Sequence, residues 1–479
     1  MRGKRVYIKE MIHEYIISHK DDILNDLKEF IKIPSVRGEA DGEYTYGKNC
    51  AEALKFAKRL YEKNGFETEL NQKGGYLLSY FGEGDKTLGI FSHADVVAAS
   101  DDWILTTPFE PIEKNGFLVG RGSLDDKPGV IVALYCMKMI KELNIQLKSR
   151  LLCFSGANEE TGMGDIQNFL SEHEKPDFSL VPDSAFPIFR GNKGRLVFSI
   201  KSDCKLPNGF FISGGTGATI IGEAIAQIPY NQSLFDEISK HCNERISIEG
   251  DDGDIYIKAK GIAKHSALPE GSLSAVSLIA GVLKESEVLS QPEKTLFENF
   301  YNMASSNYGE YFGIEAEDEE FGKLTCVMTK IKTEEDGRLT VDFNIRYGDS
   351  TNKEYIVGKI TEKSEKINWS EVKVGGFSLP NILSKDNIFV ENLMDVYKEF
   401  TGCKTVESYV NAGGTYRQYL KDAVEVGTTN RWGVPEGLPP GHGGAHQPDE
   451  CINIEGFLEA IEIIILMILE CDRILENMR

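Results

Sequence analysis

The chain has 479 residues, too many for one ordinary hydrophobic core, so two domains are expected. Hydrophobic residues make up 41% and charged residues 27%, the balance of a soluble globular protein. A formal net charge of −22 repels nucleic-acid phosphate and argues against that class of partner.

Residues 8–32 are predicted as one amphipathic helix, because Ile12, Tyr15, Ile16, Ile23, Leu24, Leu27 and Ile31 recur at helical spacing. Ile33-Pro34-Ser35-Val36 ends it. A second helix is expected over about 46–64, and strands over 67–70, 76–80 and 88–92. A helix opens near Pro128 with an apolar face through Ile140, followed by strands at 150–155 and 177–181. Strands alternating with helices predict an α/β fold whose central sheet is mainly parallel and flanked by helices. The texture changes after Arg190. Segments 196–201, 254–260, 324–331 and 338–346 alternate like half-exposed strands, with helices expected at about 217–227, 272–287 and 292–305, an α+β pattern. From about 388 the first style resumes, with a helix through Phe400, a strand near 424–427 and a last helix at about 454–476. The simplest organisation is one domain, 1–188 with 386–479, interrupted by an inserted domain over 189–385.

Nine cysteines are scattered without a C-x-x-C pair, which argues against a disulfide framework and fits a reducing cytoplasm. The N-terminus MRGKRVYIKEMIHEYI lacks the apolar stretch of a signal peptide. The run IIILMIL, Ile463 to Leu469, is far short of the roughly 20 residues that span a bilayer and is expected to be the buried face of the last helix.

Acidic and histidine residues stand just after apolar runs: His93 and Asp95 in TLGIFSHADVV, Asp125 and Asp126 in GRGSLDDKPG, Glu159 and Glu160 in LLCFSGANEETG, Asp183 in FSLVPDS and His446 in GGAHQPDE. Strands ending in carboxylates and imidazoles are how an open α/β sheet builds a metal site at its carboxyl edge. Alternation puts His93 and Asp95 on one face, so the carboxylate can orient the ring. Adjacent acids such as Asp125-Asp126 are costly unless cations compensate them, although acids also suit the helix N-terminus expected there. His442, four residues before His446, is a rival ligand. Singly each has an ordinary structural explanation; together they describe five ligands and a spare carboxylate, the equipment of a metal-dependent hydrolase.

In order, H-x-D-V-V, G-R-G…D-D-K, E-E-T-G, P-D and a late H-Q resemble the di-zinc metallopeptidase family of carnosinases, aminoacylases, succinyl-diaminopimelate desuccinylase and glutamate carboxypeptidases, nearest its bacterial Xaa-His dipeptidase (PepV-like, Sapep-like) branch. The resemblance implies that 1–188 with 386–479 is catalytic and 189–385 is a lid. It implies that Asp125 bridges two metals, with His93 and Asp183 completing one site and Glu160 and His446 the other. Glu159 would be the general base, Asp95 the residue orienting His93, and the Asp125–Asp126 peptide cis. In the inserted domain, His265 of KHSALPEG resembles a lid histidine that donates to the oxyanion, and Arg346 of VDFNIRYG an arginine that forks a substrate carboxylate. Gly414 and Thr415 of NAGGTY resemble a glycine-rich segment near that carboxylate. Lys127-Pro128-Gly129, Asn158 and Ala98 depart from the common family pattern, and none is a ligand.

The implied activity is hydrolysis of dipeptides or short peptides by a water activated between two divalent ions, zinc first, with manganese or cobalt as alternatives. A monomer is expected, because a lid this long resembles one doubled on itself. The alternatives are an N-acyl-amino-acid deacylase of the same family and a non-catalytic metal- or peptide-binding protein; an intact Glu159 argues against the latter.

Overall fold

Hydrophobic patterning drives the chain into two compact units, Met1–Gly191 with Ile382–Arg479, and Asn192–Asn381. The computed structural model describes residues 2–478 except 208, 218, 252 and 421; the side chains of 2–7 and of Cys204 also lie outside the described residues.

The first unit is built on a nine-stranded sheet. At its centre Thr87–His93 runs parallel to Arg150–Gly156 on one side and to Phe178–Ser184 on the other, and Ala423–Gly427 runs parallel to Phe178–Ser184. Tyr76–Phe81 and Glu67–Asn71 extend the sheet antiparallel at one edge. Phe189–Asn192 adds antiparallel to Ala423–Gly427 at the other. The four central strands are almost wholly buried, because helices cover both faces of a parallel sheet. Their near-continuous apolar sequences follow from that burial.

The covering helices follow their patterns. Lys127–Glu142 buries the whole VIVALYC stretch, and Ile454–Asn477 buries Ile463, Ile464, Ile465, Met467 and Ile468. No helix among the described residues is long and apolar enough to cross a membrane. The eight cysteines whose side chains are described are free; Cys204 lies outside that set. The single helix expected over 8–32 is two, Arg2–Ser18 and Lys20–Ile31, broken at His19, whose ring nitrogen turns back onto the carbonyl of Tyr15 at 2.8 Å. Lys127 is fully buried, and its ammonium caps the C-terminal end of Lys20–Ile31 by donating to the carbonyls of Phe30 (2.9 Å) and Ile33 (2.6 Å).

The second unit is α+β. Its eight-stranded sheet is antiparallel in every described pairing, in the order Ile246–Gly250, Asp254–Lys260, Glu223–Pro229, Phe211–Gly214, Thr325–Thr333, Arg338–Tyr347, Gly194–Lys205 and Glu371–Ser378. It has its own core, in which Phe198 and Phe343 stack at 4.8 Å beside buried Ile257, Ile279 and Phe300. The helix expected at about 217–227 is not there; the chain runs extended in Glu223–Pro229, and residue 218 lies outside the described residues. Ile220, Ile221, Ala224, Ile225 and Ile228 satisfy a helical period, yet Ala224, Ala226 and Ile228 also alternate inward. Pairing with Asp254–Lys260 and Phe211–Gly214 selects the second period. Helices Gln232–Ser239 and Lys353–Lys366, unmarked in the sequence reading, begin at Asn231 and Asn352, whose side chains accept from Leu234 N and Tyr355 N.

Candidate metal centre

Parallel strands end on the same edge, and that edge collects the acidic and histidine side chains. His93 closes its strand, Asp183 lies one residue before the end of the next, and Glu159 and Glu160 follow the strand Arg150–Gly156. Asp125 arrives differently from the expectation that every candidate follows a sheet strand. It sits on the turn entering helix Lys127–Glu142, preceded by Phe117–Val119 of a separate three-stranded sheet.

The five side chains meet. His93 Nε2 lies 3.1 Å from Asp125 Oδ1 and 3.7 Å from Asp183 Oδ1. His446 Nε2 lies 3.1 Å from Asp125 Oδ2 and 3.0 Å from Glu160 Oε2. Asp125 therefore faces both histidines, one through each oxygen. His446 has φ +64°, a left-handed backbone unusual for a residue with a Cβ, on a glycine-rich loop that turns its ring to the acids. His442 is not a competitor: its Nδ1 is 2.7 Å from buried Asp449, which accepts the amides of Ile104 and Leu105 and so pins that loop.

Electrostatics make the cluster costly by itself. Burial, reinforced by Asp183, pushes the Glu159 carboxyl well above the usual range. Burial and Asp125 push Glu160 up to about 7, and burial pushes Asp183 up to about 6. Asp125 alone is held below its usual range, since hydrogen bonds from His446 and His93 outweigh its burial. His93 Nε2 is fully buried and makes no hydrogen bond of acceptable geometry despite its short approach to Asp125. Carboxylates crowded around imidazole nitrogens within ligand-to-ligand range are the donor set of a divalent cation, which would relieve the repulsion. The residues present fit such ions. Groupings of His93, Asp125 and Glu160, and of His93, Asp126 and Asp183, have ligand atoms within 4.8 Å of one another. Asp126 Oδ2 accepts the His93 amide at 3.3 Å, and the Asp125–Asp126 peptide is cis.

Supporting contacts fix the geometry. Asp95 lies beside the His93 ring, with Oδ1 3.4 Å from Nδ1, but the nearer partner of Nδ1 is Asp95's own carbonyl at 3.0 Å. The Asp95 carboxylate accepts the amides of Glu159 (3.1 Å) and Glu160 (3.2 Å), so it also clamps the acidic pair. Two anchors were missed in the sequence. Glu450 Oε1 accepts the amides of Gly122, Leu124 and Asp125, while Oε2 pairs with buried Arg121 at 2.6 Å. Asp165 accepts from the amides of Ala157 and Asn158, both at 2.8 Å, and from the Tyr416 hydroxyl. Both acids stand inside or just after quoted motifs, but nothing in their spacing distinguishes a clamp from a surface acid.

The remaining candidates are described by their own contacts. Thr415 donates to Glu425 at 2.7 Å and caps the short helix Tyr416–Tyr419, and a Cβ on Gly414 would meet Gln418 at 2.7 Å. His265 and Arg346 belong to the second unit. The Ala267 amide donates to His265 Nδ1 at 3.3 Å, so a neutral His265 carries its proton on Nε2. Arg346 is 7% exposed, with Thr325 and Arg195 as its cross-strand neighbours. Burial and Arg195 push its guanidinium down to about 9, and no hydrogen bond or ion pair reaches it among the described residues.

Comparison with known proteins agrees with this chemistry. The model of peptidase family M20/M25/M40 matches residues 89–470. The chain is 27% identical over 463 residues to "Putative dipeptidase YtjP" of Bacillus subtilis, covering 93% of this chain and 96% of the relative. Among solved structures it is similar in fold to human carnosine dipeptidase 1 (TM-score 0.58, 16% identity, 97% of this chain and 100% of that one). It is likewise similar to the di-peptidase Dug1p of Saccharomyces cerevisiae (TM-score 0.59, 14% identity, 97% and 98%).

Proposed function

For a chain that belongs to peptidase family M20/M25/M40, and is therefore a metal-dependent hydrolase, we propose a dipeptidase that holds two divalent ions, zinc first, between His93, Asp125 and Asp183 and between Asp125, Glu160 and His446. The observation that carries this reading is Asp125 lying at 3.1 Å from a histidine through each carboxylate oxygen, one of them brought from the other end of the chain.

Ions held there would supply Lewis acidity and bring the ionisation of a bound water towards neutrality. The rest belongs to the protein. Glu159, kept basic enough by its buried acidic surroundings, takes the proton of the attacking water and later delivers it to the leaving amine nitrogen. Asp95 keeps Glu159 and Glu160 in place through their backbone amides. His265 offers an Nε2–H to the carbonyl oxygen that gains negative charge. Arg346, a buried cation without a protein counter-ion, supports the role of receiving the substrate's carboxylate. Thr415 and Gly414 are proposed as neighbours of that carboxylate through backbone only, since the Thr415 hydroxyl is committed to Glu425.

The test is turnover of a dipeptide panel, beside N-acetyl and N-succinyl amino acids, after chelation and after return of zinc, manganese or cobalt. Chelation is expected to abolish hydrolysis and one of the metals to restore it, with dipeptides cleaved faster than acylated amino acids. The opposite order would make the protein a deacylase.

A further inference from the structure

The cavity of about 420 Å³ in the first unit is lined by two of the candidate ligands, Asp125 and Asp183; its other walls mix polar side chains such as Thr429 and Asn453 with the apolar ones of Trp432 and Val434. Its volume is that of a small-ligand site. Trp432 is 61% exposed and Val434 44% exposed. A large apolar side chain exposed singly is ordinary. Two of them lining the same cavity as the metal-binding carboxylates are not explained by scatter, because each leaves apolar area in water where substrate would cover it.

The segment that presents them is fixed before any ligand binds. Arg431 pairs with Glu455 and, at 2.6 Å, with Glu459 on the last helix. The Asn430 amide donates to the Gly456 carbonyl at 3.0 Å, and the Thr428 hydroxyl to the Leu124 carbonyl at 3.3 Å. These contacts also neutralise Arg431, the one basic residue in the described lining, so no basic side chain of the lining is left over to pair with an acidic one seated against Trp432 and Val434.

We propose that Trp432 and Val434 form an apolar subsite of the metal centre that selects peptides with a bulky hydrophobic or aromatic side chain. The inference rests on the peptidase reading above. An aromatic ring on Trp432 gains contact area and ring–ring attraction, while glycine gains neither and a carboxylate against the indole loses hydration with no basic side chain beside it.

The experiment compares kcat/KM for Gly-Gly, Leu-Gly, Phe-Gly, Glu-Gly, Gly-Leu, Gly-Phe and Gly-Glu in the wild-type enzyme and in Trp432→Ala, Trp432→Phe and Val434→Ala. Melting temperature and bound metal are checked for each. The wild type is expected to prefer leucine or phenylalanine over glycine and glutamate at one of the two positions. Trp432→Ala is expected to cut that ratio about tenfold, Val434→Ala to cut it less, and Trp432→Phe to keep most of it. An unchanged ratio in folded, metal-loaded Trp432→Ala, or a wild type that prefers glutamate or glycine to leucine and phenylalanine at both positions, overturns the subsite while leaving the peptidase intact. A wild type that cleaves no peptide overturns the peptidase reading, and this inference with it.

Discussion

At the residue scale, the site shows how burial assigns jobs to similar groups. Asp125 is ionised because two imidazoles face it, whereas Glu159 sits among acids and is pushed towards holding a proton. A carboxylate of that kind suits proton transfer better than binding. Glu159→Ala is therefore expected to keep its metal, measured by elemental analysis, and to lose at least about 100-fold in kcat. Arg346 makes the complementary argument. An uncompensated buried cation is costly, and the substrate carboxylate proposed for it would relieve that cost. Arg346→Ala is expected to raise KM for free-acid dipeptides by about 10- to 100-fold and to leave C-terminally amidated peptides nearly unaffected, as steady-state kinetics on both series will show. The candidate ligands were legible as candidates because few chemistries use histidine and acids in this order. Their anchors were not, since Asp165 and Glu450 gain meaning only from the amides that point at them.

At the element scale, the turn carrying Asp125 is held from a distant segment. One Glu450 oxygen gathers three amides of that turn and the other neutralises Arg121, both side chains being 1% exposed. Glu450→Gln leaves a buried arginine without its counter-charge. It is expected to destabilise the protein by about 3 kcal/mol in urea unfolding and to weaken metal binding about tenfold in competition with a chelator. Elements with a single period were readable: the strands of the parallel core and the helices Lys127–Glu142 and Ile454–Asn477 fall where their patterns put them. Glu223–Pro229 was not, because its isoleucines and alanines satisfy both periods and only its sheet neighbours decide between them. The break at His19 was also hidden, as the apolar spacing continues across it.

At the scale of the whole molecule, stability is coupled to the groups buried beneath the site. Burial pushes the Asp165 carboxyl up to about 7, against the pull of Tyr416 and the backbone amides. The folded state thus holds this proton more tightly than the unfolded chain, whose aspartates titrate near 4. Its contribution is fully present below about pH 4 and is lost as pH rises to about 7, by up to about 4 kcal/mol at 1.36 kcal/mol per unit. Urea midpoints measured from pH 5 to 7.5 are expected to fall more steeply for the wild type than for Asp165→Asn; parallel slopes would remove Asp165 from the account.

The amino-acid sequence by itself determined which residues could bind metal, the alternation that makes a parallel sheet, and the change of texture after Arg190, because each is written in local order and periodicity. Only the tertiary structure decided that Asp125 faces both histidines, that Asp95 and Glu450 accept the backbone amides of the acidic loops, that His442 belongs to Asp449, and that Trp432 lines the same cavity as Asp125. Those meetings join positions from seven to more than three hundred residues apart. They arise when several strands and loops bury their apolar faces together, and no local pattern encodes them.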